Sequence, residues 1–183
     1  MKELPPTCIE RGDAHWPRLL AARLGTSAPA KLSVLGNLDL LALPKTAIFC
    51  SARCPGHVIL KAYDQAAHWR DAGRCVISGF HSPVEKECLR ILLRGSQPII
   101  ICPARAIEAM RIPTELRTAF DAGRVLYLSP FAKQPRRVTK ESALRRNETV
   151  AALADEAYVA HVAAGGQTAL ISKMLVQWGV LLV

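Results

Sequence analysis

Two arginines and an asparagine follow one another at Arg145, Arg146 and Asn147, in a basic segment that leads into an apolar stretch at residues 157–162. A guanidinium group is a planar fork of donors that matches phosphate oxygens, and an asparagine amide can donate and accept hydrogen bonds beside it. At the start of a helix, where we expect it to lie, this grouping indicates an anion site suited to nucleotides or nucleic acid. The alternative is that the three side chains lie on a solvated helix face.

The segment that precedes this motif, residues 130–139, is also basic and contains prolines. Long loops in compact domains are more often functional than accidental. We therefore expect this loop to extend the anion-binding surface, the alternative being a solvent-exposed excursion. Its candidate phosphate contacts, with the residue that follows it, are Lys133, Arg136, Arg137 and Lys140.

Composition limits the classes of protein that the chain can belong to. Its 183 residues carry a formal net charge of +9, which favours a polyanionic partner without requiring one. No apolar run has the length of a membrane span, and the first residues lack the apolar core of a signal peptide. We therefore expect a cytoplasmic protein that has no membrane partner.

The six cysteines form neither a CxxC pair nor a zinc-like repeat, and several fall in predicted core strands. We expect buried free thiols, the alternative being a reactive thiol at Cys50 or Cys54. The five histidines have no metal-ligand spacing, and Glu85 and Glu87 would lie on different faces of a helix. The sequence therefore predicts no catalytic residue, no metal site and no cofactor.

From about residue 46 the chain alternates short apolar runs with longer amphipathic segments, which is typical of βα units in a parallel sheet. Predicted strands cover residues 47–50, 75–78, 99–102, 125–128, 157–162 and 180–183. Predicted helices cover residues 56–72, 83–93, 113–122, 139–153 and 168–178. We predict an α/β protein with a Rossmann-like, three-layer α/β/α fold and a mostly parallel sheet.

Two further features concern the organisation of the chain. Gly73 and Gly123 each follow an Asp-Ala pair and precede an apolar run, so we expect both to end a helix in the left-handed conformation. Residues 1–44 are broken up by prolines and are too few to fold alone. We predict an N-terminal extension at residues 1–44, which packs on a core domain at residues 45–183.

In an open parallel sheet, ligands bind beyond the carboxyl ends of the strands. The loops at these ends carry small, hydroxyl and glycine residues, which let backbone amides approach a phosphate closely. The dinucleotide fingerprint GxGxxG and the phosphate loop GxxxxGK[ST] are both absent from the sequence. In any one of these loops taken alone, the residue preferences of ordinary turns also explain the small, hydroxyl and glycine residues. The candidate phosphate contacts in them are Ser51, Arg53, Ser78, Gly79, Gly165, Gly166 and Thr168.

Several segments resemble motifs of the DprA/Smf family of DNA-processing proteins. Residues 16–20 (Trp-Pro-Arg-Leu-Leu) are similar to its Tyr-Pro-x-x-Leu, and residues 49–53 (Phe-Cys-Ser-Ala-Arg) stand where it has Val-Gly-Ser-Arg. Residues 76–80 (Val-Ile-Ser-Gly-Phe) are similar to its Val-Val-Ser-Gly-Leu. The opening motif lies on its Arg-Arg-Asn-Arg, with Glu148 in place of the last arginine.

This resemblance implies an extended Rossmann-like core that binds single-stranded DNA. It also implies homodimerisation, loading of a RecA-type recombinase, and a role in DNA recombination during natural transformation. An alternative is a nucleotide-binding or nucleotide-hydrolysing protein of the lysine-decarboxylase-like phosphoribohydrolase group. Residues 165–168 faintly resemble the Gly-Gly-x-Gly-Thr motif of that group. In the following helix, Ser172 and Lys173 stand where that group has an acidic residue. A degenerate scaffold that binds neither ligand is the remaining alternative.

Overall fold

The computed structural model describes residues 5–108, 110–133, 135 and 137–183. Within these residues the strands are β1 (Thr7–Glu10), β2 (Lys31–Gly36), β3 (Lys45–Cys50), β4 (Cys75–Ser78), β5 (Ile99–Ile101), β6 (Val125–Ser129), β7 (Glu156–His161) and β8 (Leu181–Leu182). The helices are α1 (Arg18–Leu24), α2 (Gly56–Asp71), α3 (Pro83–Leu93), α4 (Thr114–Asp121), α5 (Lys140–Leu153) and α6 (Gln167–Gln177). Short 3-10 turns occupy Gly25–Ser27 and Leu38–Ala42.

All of these strands belong to one sheet, in the order β1-β2-β6-β5-β4-β3-β7-β8. The strands from β6 to β8 in that order pair in parallel, whereas β2 pairs antiparallel with β6 and β1 antiparallel with β2. The segment before residue 45 thus contributes two strands to one edge of the sheet. The mostly parallel α/β sheet predicted from the alternating pattern is confirmed.

Helices cover both faces of the sheet and make three layers. The core on one face contains Leu20 of α1, Val150 of α5 and Ile171 of α6. The core on the other face is formed with α2, α3 and α4. Successive strand residues point to opposite faces, so Phe49 of β3 packs in the first core and Ile48 in the second. The parallel strands are therefore apolar on both faces, which explains their continuous apolar runs.

The two glycine junctions have the predicted conformation. Gly73 and Gly123 have φ of 69° and 70°. The next amide bonds back across each helix end, from Arg74 to the Trp69 carbonyl at 3.0 Å and from Arg124 to the Ala119 carbonyl at 3.2 Å. This is the bonding of a helix that ends at a left-handed residue. At both junctions the chain therefore passes directly from the helix into the next strand.

The bounds of most elements lie within about two residues of the predicted ones, and α3 matches residues 83–93. One prediction about position is wrong. Arg145 and Arg146 lie in the second turn of α5, not at its start, because Thr139 caps the helix and its hydroxyl accepts a hydrogen bond from the Ser142 amide at 3.1 Å. The helix therefore begins at Lys140.

Two ion pairs lie at the amino ends of the parallel strands. Lys45 begins β3, and its ammonium lies 3.4 Å from the carboxylate of Asp155. Arg74, just before β4, pairs with Glu156, which begins β7. Arg124, just before β6, instead donates hydrogen bonds to the carbonyls of Gln97 and Leu93. Among the described residues, no helix has both the length and the apolarity needed to cross a bilayer.

Four of the six cysteines are buried, as the sequence predicts. Burial raises the pKa of the Cys75, Cys88 and Cys102 thiols to about 12, and it also raises the pKa of Cys50. Cys8 is exposed and Cys54 is partly exposed. A thiol with a raised pKa is largely protonated at neutral pH, so it is a poor nucleophile.

We therefore expect Ellman's reagent at neutral pH to modify two thiols of the native protein quickly and the other four slowly. In denaturant all six thiols should react, because the shielding that raises the four pKa values is lost. The substitution Cys54→Ser should reduce the fast class to one thiol. Fast reaction of four or more thiols in the folded protein would contradict the burial described above.

Candidate functional site

The loops that follow β3 and β7 leave the sheet in opposite directions. The chain after β3 enters α2 on one face, while the chain after β7 enters α6 on the other. Neighbouring parallel strands whose connections diverge in this way form a topological switch point, where open α/β sheets bind their ligands. A ligand site is therefore expected at the carboxyl ends of β3 and β7.

A cleft of about 570 Å³ opens at this switch point. Its walls come from the end of β3, the start of α3, one turn of α5 and the start of α6. The lining residues are Phe49, Cys50, Ser51, Ala52, Arg53, His81, Ser82, Pro83, Glu85, Ala143, Arg146, Asn147, Ala163, Gly166, Gln167 and Thr168. Segments that are far apart in the sequence thus form one concave surface.

The carboxylate of Glu85 lies at the floor of the cleft and is 7% exposed. One carboxylate oxygen accepts a hydrogen bond from the Cys50 amide at 3.0 Å. The other accepts hydrogen bonds from the amides of His81 at 2.9 Å and Ser82 at 3.2 Å. Three backbone donors from the ends of two strands therefore converge on a side chain of the protein itself.

Local sequence explains why Glu85 points back to this end of α3. Ser82 is the residue before the helix, and its hydroxyl accepts a hydrogen bond from the Glu85 amide at 3.2 Å. The Glu85 carboxylate completes a reciprocal capping box by accepting the Ser82 amide. Pro83 occupies the first helical position, where a missing N–H costs nothing.

Arg146 is the second charged group of the cleft, and it is 4% exposed. Its guanidinium donates hydrogen bonds to the Cys102 carbonyl at 3.1 Å and to the Asn147 side-chain oxygen at 2.8 Å. Burial lowers the pKa of Arg146, and the nearby charge of Glu85 opposes that shift. Arg146 thus ties α5 to the end of β5.

Gly79 makes room for this guanidinium. A Cβ atom placed on Gly79 would lie only 1.4 Å from a terminal nitrogen of Arg146 and 2.0 Å from its central carbon. The residue after β4 must therefore lack a side chain as long as Arg146 keeps its position. Gly79 therefore supports the site by leaving room for Arg146, and it does not itself line the cleft.

The hydrogen bond from Arg146 also sets the orientation of Asn147. Because the Asn147 side-chain oxygen accepts from the guanidinium, its amide NH2 group is the end left to donate. Asn147 is partly exposed and lines the cleft. It can therefore offer donors to an acceptor on a bound ligand.

Ser51 connects the two loops of the switch point. Its hydroxyl accepts a hydrogen bond from the Ala163 amide at 2.9 Å and donates to the Thr168 hydroxyl at 3.2 Å. Its own amide donates to the His161 carbonyl at 3.1 Å. These bonds hold the loop that carries Arg53 against the start of α6.

Ser78 has a different environment from the other predicted contacts. Its hydroxyl donates to the Ile48 carbonyl at 2.9 Å and accepts from the Phe80 amide at 3.1 Å. Ser78 is 1% exposed and lies behind the cleft, where it stabilises the turn after β4. Phe80 in that turn has a φ of 46°, in the left-handed region.

Exposed cations lie beside the cleft and along the loop that precedes α5. Arg53 is exposed on the loop after β3, and Arg145 is exposed on α5, with its guanidinium 5.9 Å from the centre of the Phe131 ring. Lys140 accepts, through its carbonyl, a hydrogen bond of 2.7 Å from the Gln167 side chain, so the start of α5 adjoins the start of α6. We call Arg53, Arg145, Lys133, Arg137 and Lys140 the rim cations; all five are exposed.

The structure brings six of the fourteen predicted contacts together in the cleft. Those that line the cleft are Ser51, Arg53, Arg146, Asn147, Gly166 and Thr168. Gly165 lies in the adjoining turn with a φ of 69°, and Ser78 and Gly79 lie behind the cleft. Arg136 falls outside the described residues. Glu85, His81 and Gln167 were not predicted as site residues from the sequence, although Ser-Pro-Val-Glu at residues 82–85 is a recognisable capping-box pattern.

The fold and the site define a class: a Rossmann-like α/β protein with a polar cleft at its switch point and cations around the rim. Residues 7–174 match the family model of DNA recombination-mediator protein A, and the chain belongs to this family. The resemblance to DprA/Smf motifs is thereby confirmed.

Solved structures of the same fold include two from this family. The X-ray structure of DNA processing protein A (DprA) from Streptococcus pneumoniae matches with a TM-score of 0.78 at 20% identity, over 97% of this chain and 62% of the pneumococcal chain. DNA processing protein A from Helicobacter pylori, whose structure concerns its single-stranded DNA binding mode, matches with a TM-score of 0.76 at 19% identity, over 97% of this chain and 79% of the other. No curated protein sequence matches significantly.

Proposed function

We propose that this protein binds single-stranded DNA at the cleft and acts in DNA uptake or recombination. The observation that carries the proposal is a polar cleft at the switch point, lined by Arg53, with the other exposed rim cations on α5 and on the loop before it. In the residues that the structure describes, none of these cations forms an ion pair with a carboxylate. Membership of the family and the DNA-binding mode of the H. pylori relative support the same assignment.

The proposed roles follow from exposure. Exposed Arg53 and Arg145 contact phosphates, and the other rim cations, with Arg136, extend that contact along the basic loop. Asn147 and Thr168 offer polar hydrogen atoms within the cleft, where Ser51 positions Thr168 and where Gly165 and Gly166 allow close approach of the backbone to a ligand. Buried Arg146 and Ser78, with partly buried Gly79, hold these groups in place.

The wider setting is part of the same proposal. On the basis of family membership, we also propose that the protein is cytoplasmic, forms a homodimer and contacts a RecA-type recombinase. Light scattering tests the dimer, and a binding assay with purified RecA tests the recombinase contact.

Binding of fluorescent oligo-dT, followed by anisotropy, tests the proposal directly. We expect measurable affinity at low salt and a linear fall of log K with log salt concentration, because each phosphate contact releases condensed counterions. Thymidine monophosphate should leave the melting temperature unchanged. If oligo-dT fails to bind at low salt while the mononucleotide raises the melting temperature, the alternative of a nucleotide-binding enzyme replaces this proposal.

A further inference from the structure

The three amides at the floor of the cleft form an anion-binding nest that is already filled. The amides of Cys50, His81 and Ser82 all donate to the Glu85 carboxylate, at distances between 2.9 and 3.2 Å. Successive backbone donors at a strand end and a helix start are the usual means by which such folds hold a phosphate. In this chain a carboxylate of the protein takes that position.

The charge at the floor of the cleft is also balanced by side chains of the protein itself. Glu85 and Arg146 both line the cleft, and both are more than nine-tenths buried. Their formal charges cancel, so the floor has no surplus positive charge. A phosphate placed there would face the Glu85 carboxylate at short range, in a setting where water screens repulsion weakly.

The rest of the floor and walls suits an uncharged group. Apolar atoms are supplied by the cleft-lining residues Phe49, Ala52, Pro83, Ala143 and Ala163. Asn147 adds an amide donor beside them, fixed in orientation by Arg146. A flat, neutral heterocycle with carbonyl acceptors fits both the apolar surface and the donor.

We propose that Glu85 is a specificity-determining residue, which occupies the phosphate position of the floor so that the cleft receives a nucleobase. The phosphates of the strand then lie at the mouth, on Arg53 and Arg145. This inference rests on the proposed function for the identity of the ligand. The exclusion of phosphate by Glu85 is tested without DNA.

The first test is inorganic phosphate binding, followed through the backbone amide resonances of Cys50, His81 and Ser82 in NMR spectra. The wild-type protein should show no saturable shift of these three resonances. In the Glu85→Ala variant the nest is open, so the three resonances should shift together and saturate at millimolar phosphate. The matched control is Glu87→Ala, which removes the same charge from the same helix at a side chain that pairs with exposed Arg90; it should behave as the wild type.

A carboxylate with a merely structural role would give a less stable variant with no gain of phosphate binding, and that result overturns the proposal. The second test uses the wild-type protein, so it decides whether the cleft receives a nucleobase even if Glu85→Ala does not fold. An abasic oligonucleotide should bind about tenfold more weakly than oligo-dT, because it has no base to fill the cleft. Equal affinities would overturn the base-binding cleft, whereas failure of both oligonucleotides to bind would refute the proposed function and leave phosphate exclusion to the NMR test.

Discussion

Alanine in place of Gly79 is expected to lower the free energy of unfolding by about 3 kcal/mol, which is large for the addition of one methyl group. The new Cβ would overlap the Arg146 guanidinium, which would have to leave its buried position and give up its hydrogen bonds to the Cys102 carbonyl and to Asn147. We also expect binding of oligo-dT to fall, because Asn147 would lose its fixed orientation. Urea denaturation and anisotropy measure the two effects.

A double-mutant cycle separates this explanation from a general intolerance of the turn. If the clash with Arg146 is the cause, Arg146→Ala should relieve it, and the double variant should be more stable than the sum of the single effects by about 2 kcal/mol. The matched control is Gly56→Ala at the start of α2, where a Cβ atom would meet nothing within 4 Å. Additive costs at positions 79 and 146 would show that the two residues do not depend on each other.

The paired substitutions Arg53→Ala and Arg145→Ala should weaken binding of oligo-dT about a hundredfold at low salt. Arg53 lines the cleft and Arg145 is exposed on α5, and a hydrogen bond to a charged group is worth roughly tenfold in affinity. The slope of log K against log salt should become shallower by about 1.4, or 0.7 for each lost phosphate contact on a single strand. The melting temperature should stay close to that of the wild type, since both side chains are exposed.

The control for this pair is Arg90→Ala, which removes a positive charge from the far end of α3, where it pairs with Glu87. Measured at 0.1 M ionic strength, where the screening length is about 10 Å, it should change affinity by less than a factor of about two, since surface charges beyond that length contribute little. If Arg90→Ala weakens binding as much as either rim substitution, then net charge alone attracts the DNA, and the cleft is not the site of contact.

The sequence predicted the architecture because the relevant forces act within short segments. Apolar runs buried on both faces define parallel strands, and Gly73 and Gly123 end helices by a conformational property of glycine. The edge of the sheet formed by the residues before 45 was harder to predict from the sequence. Whether β1 and β2 join the sheet depends on pairing with β6, which lies about ninety residues further along the chain.

The two arginines of the opening motif show how much of the site was predictable. The sequence treats them alike, yet Arg145 is exposed and Arg146 is buried. The helical period distinguishes them, since Ser142, Thr149, Val150 and Leu153 share a face with Arg146 and are buried with it. The partner that makes burial tolerable, the Cys102 carbonyl, comes from the end of β5 and cannot be found by spacing within one helix.

The filled nest at Glu85 illustrates the same limit. The capping box of residues 82–85 is a local pattern, and it predicts that the carboxylate turns back toward the start of α3. The additional bond to the Cys50 amide depends on the adjacency of β3 and β4, which is a property of the sheet. Sequence reasoning therefore predicted a phosphate cradle at these loops, whereas the folded chain supplies part of that cradle with its own anion.

The pairing of charges at the amino ends of the strands has a consequence for how the molecule meets its ligand. Lys45 and Arg74 pair there with Asp155 and Glu156, whereas in the part of the chain that the structure describes no rim cation pairs with a carboxylate. The exposed rim cations therefore make the surface beside the cleft locally positive. In the field of a polyanion such an uneven distribution of charge experiences a torque during diffusion. In many encounters the protein would then already be oriented with the cleft toward the polyanion. The encounter rate would depend on ionic strength because this orientation precedes any direct contact.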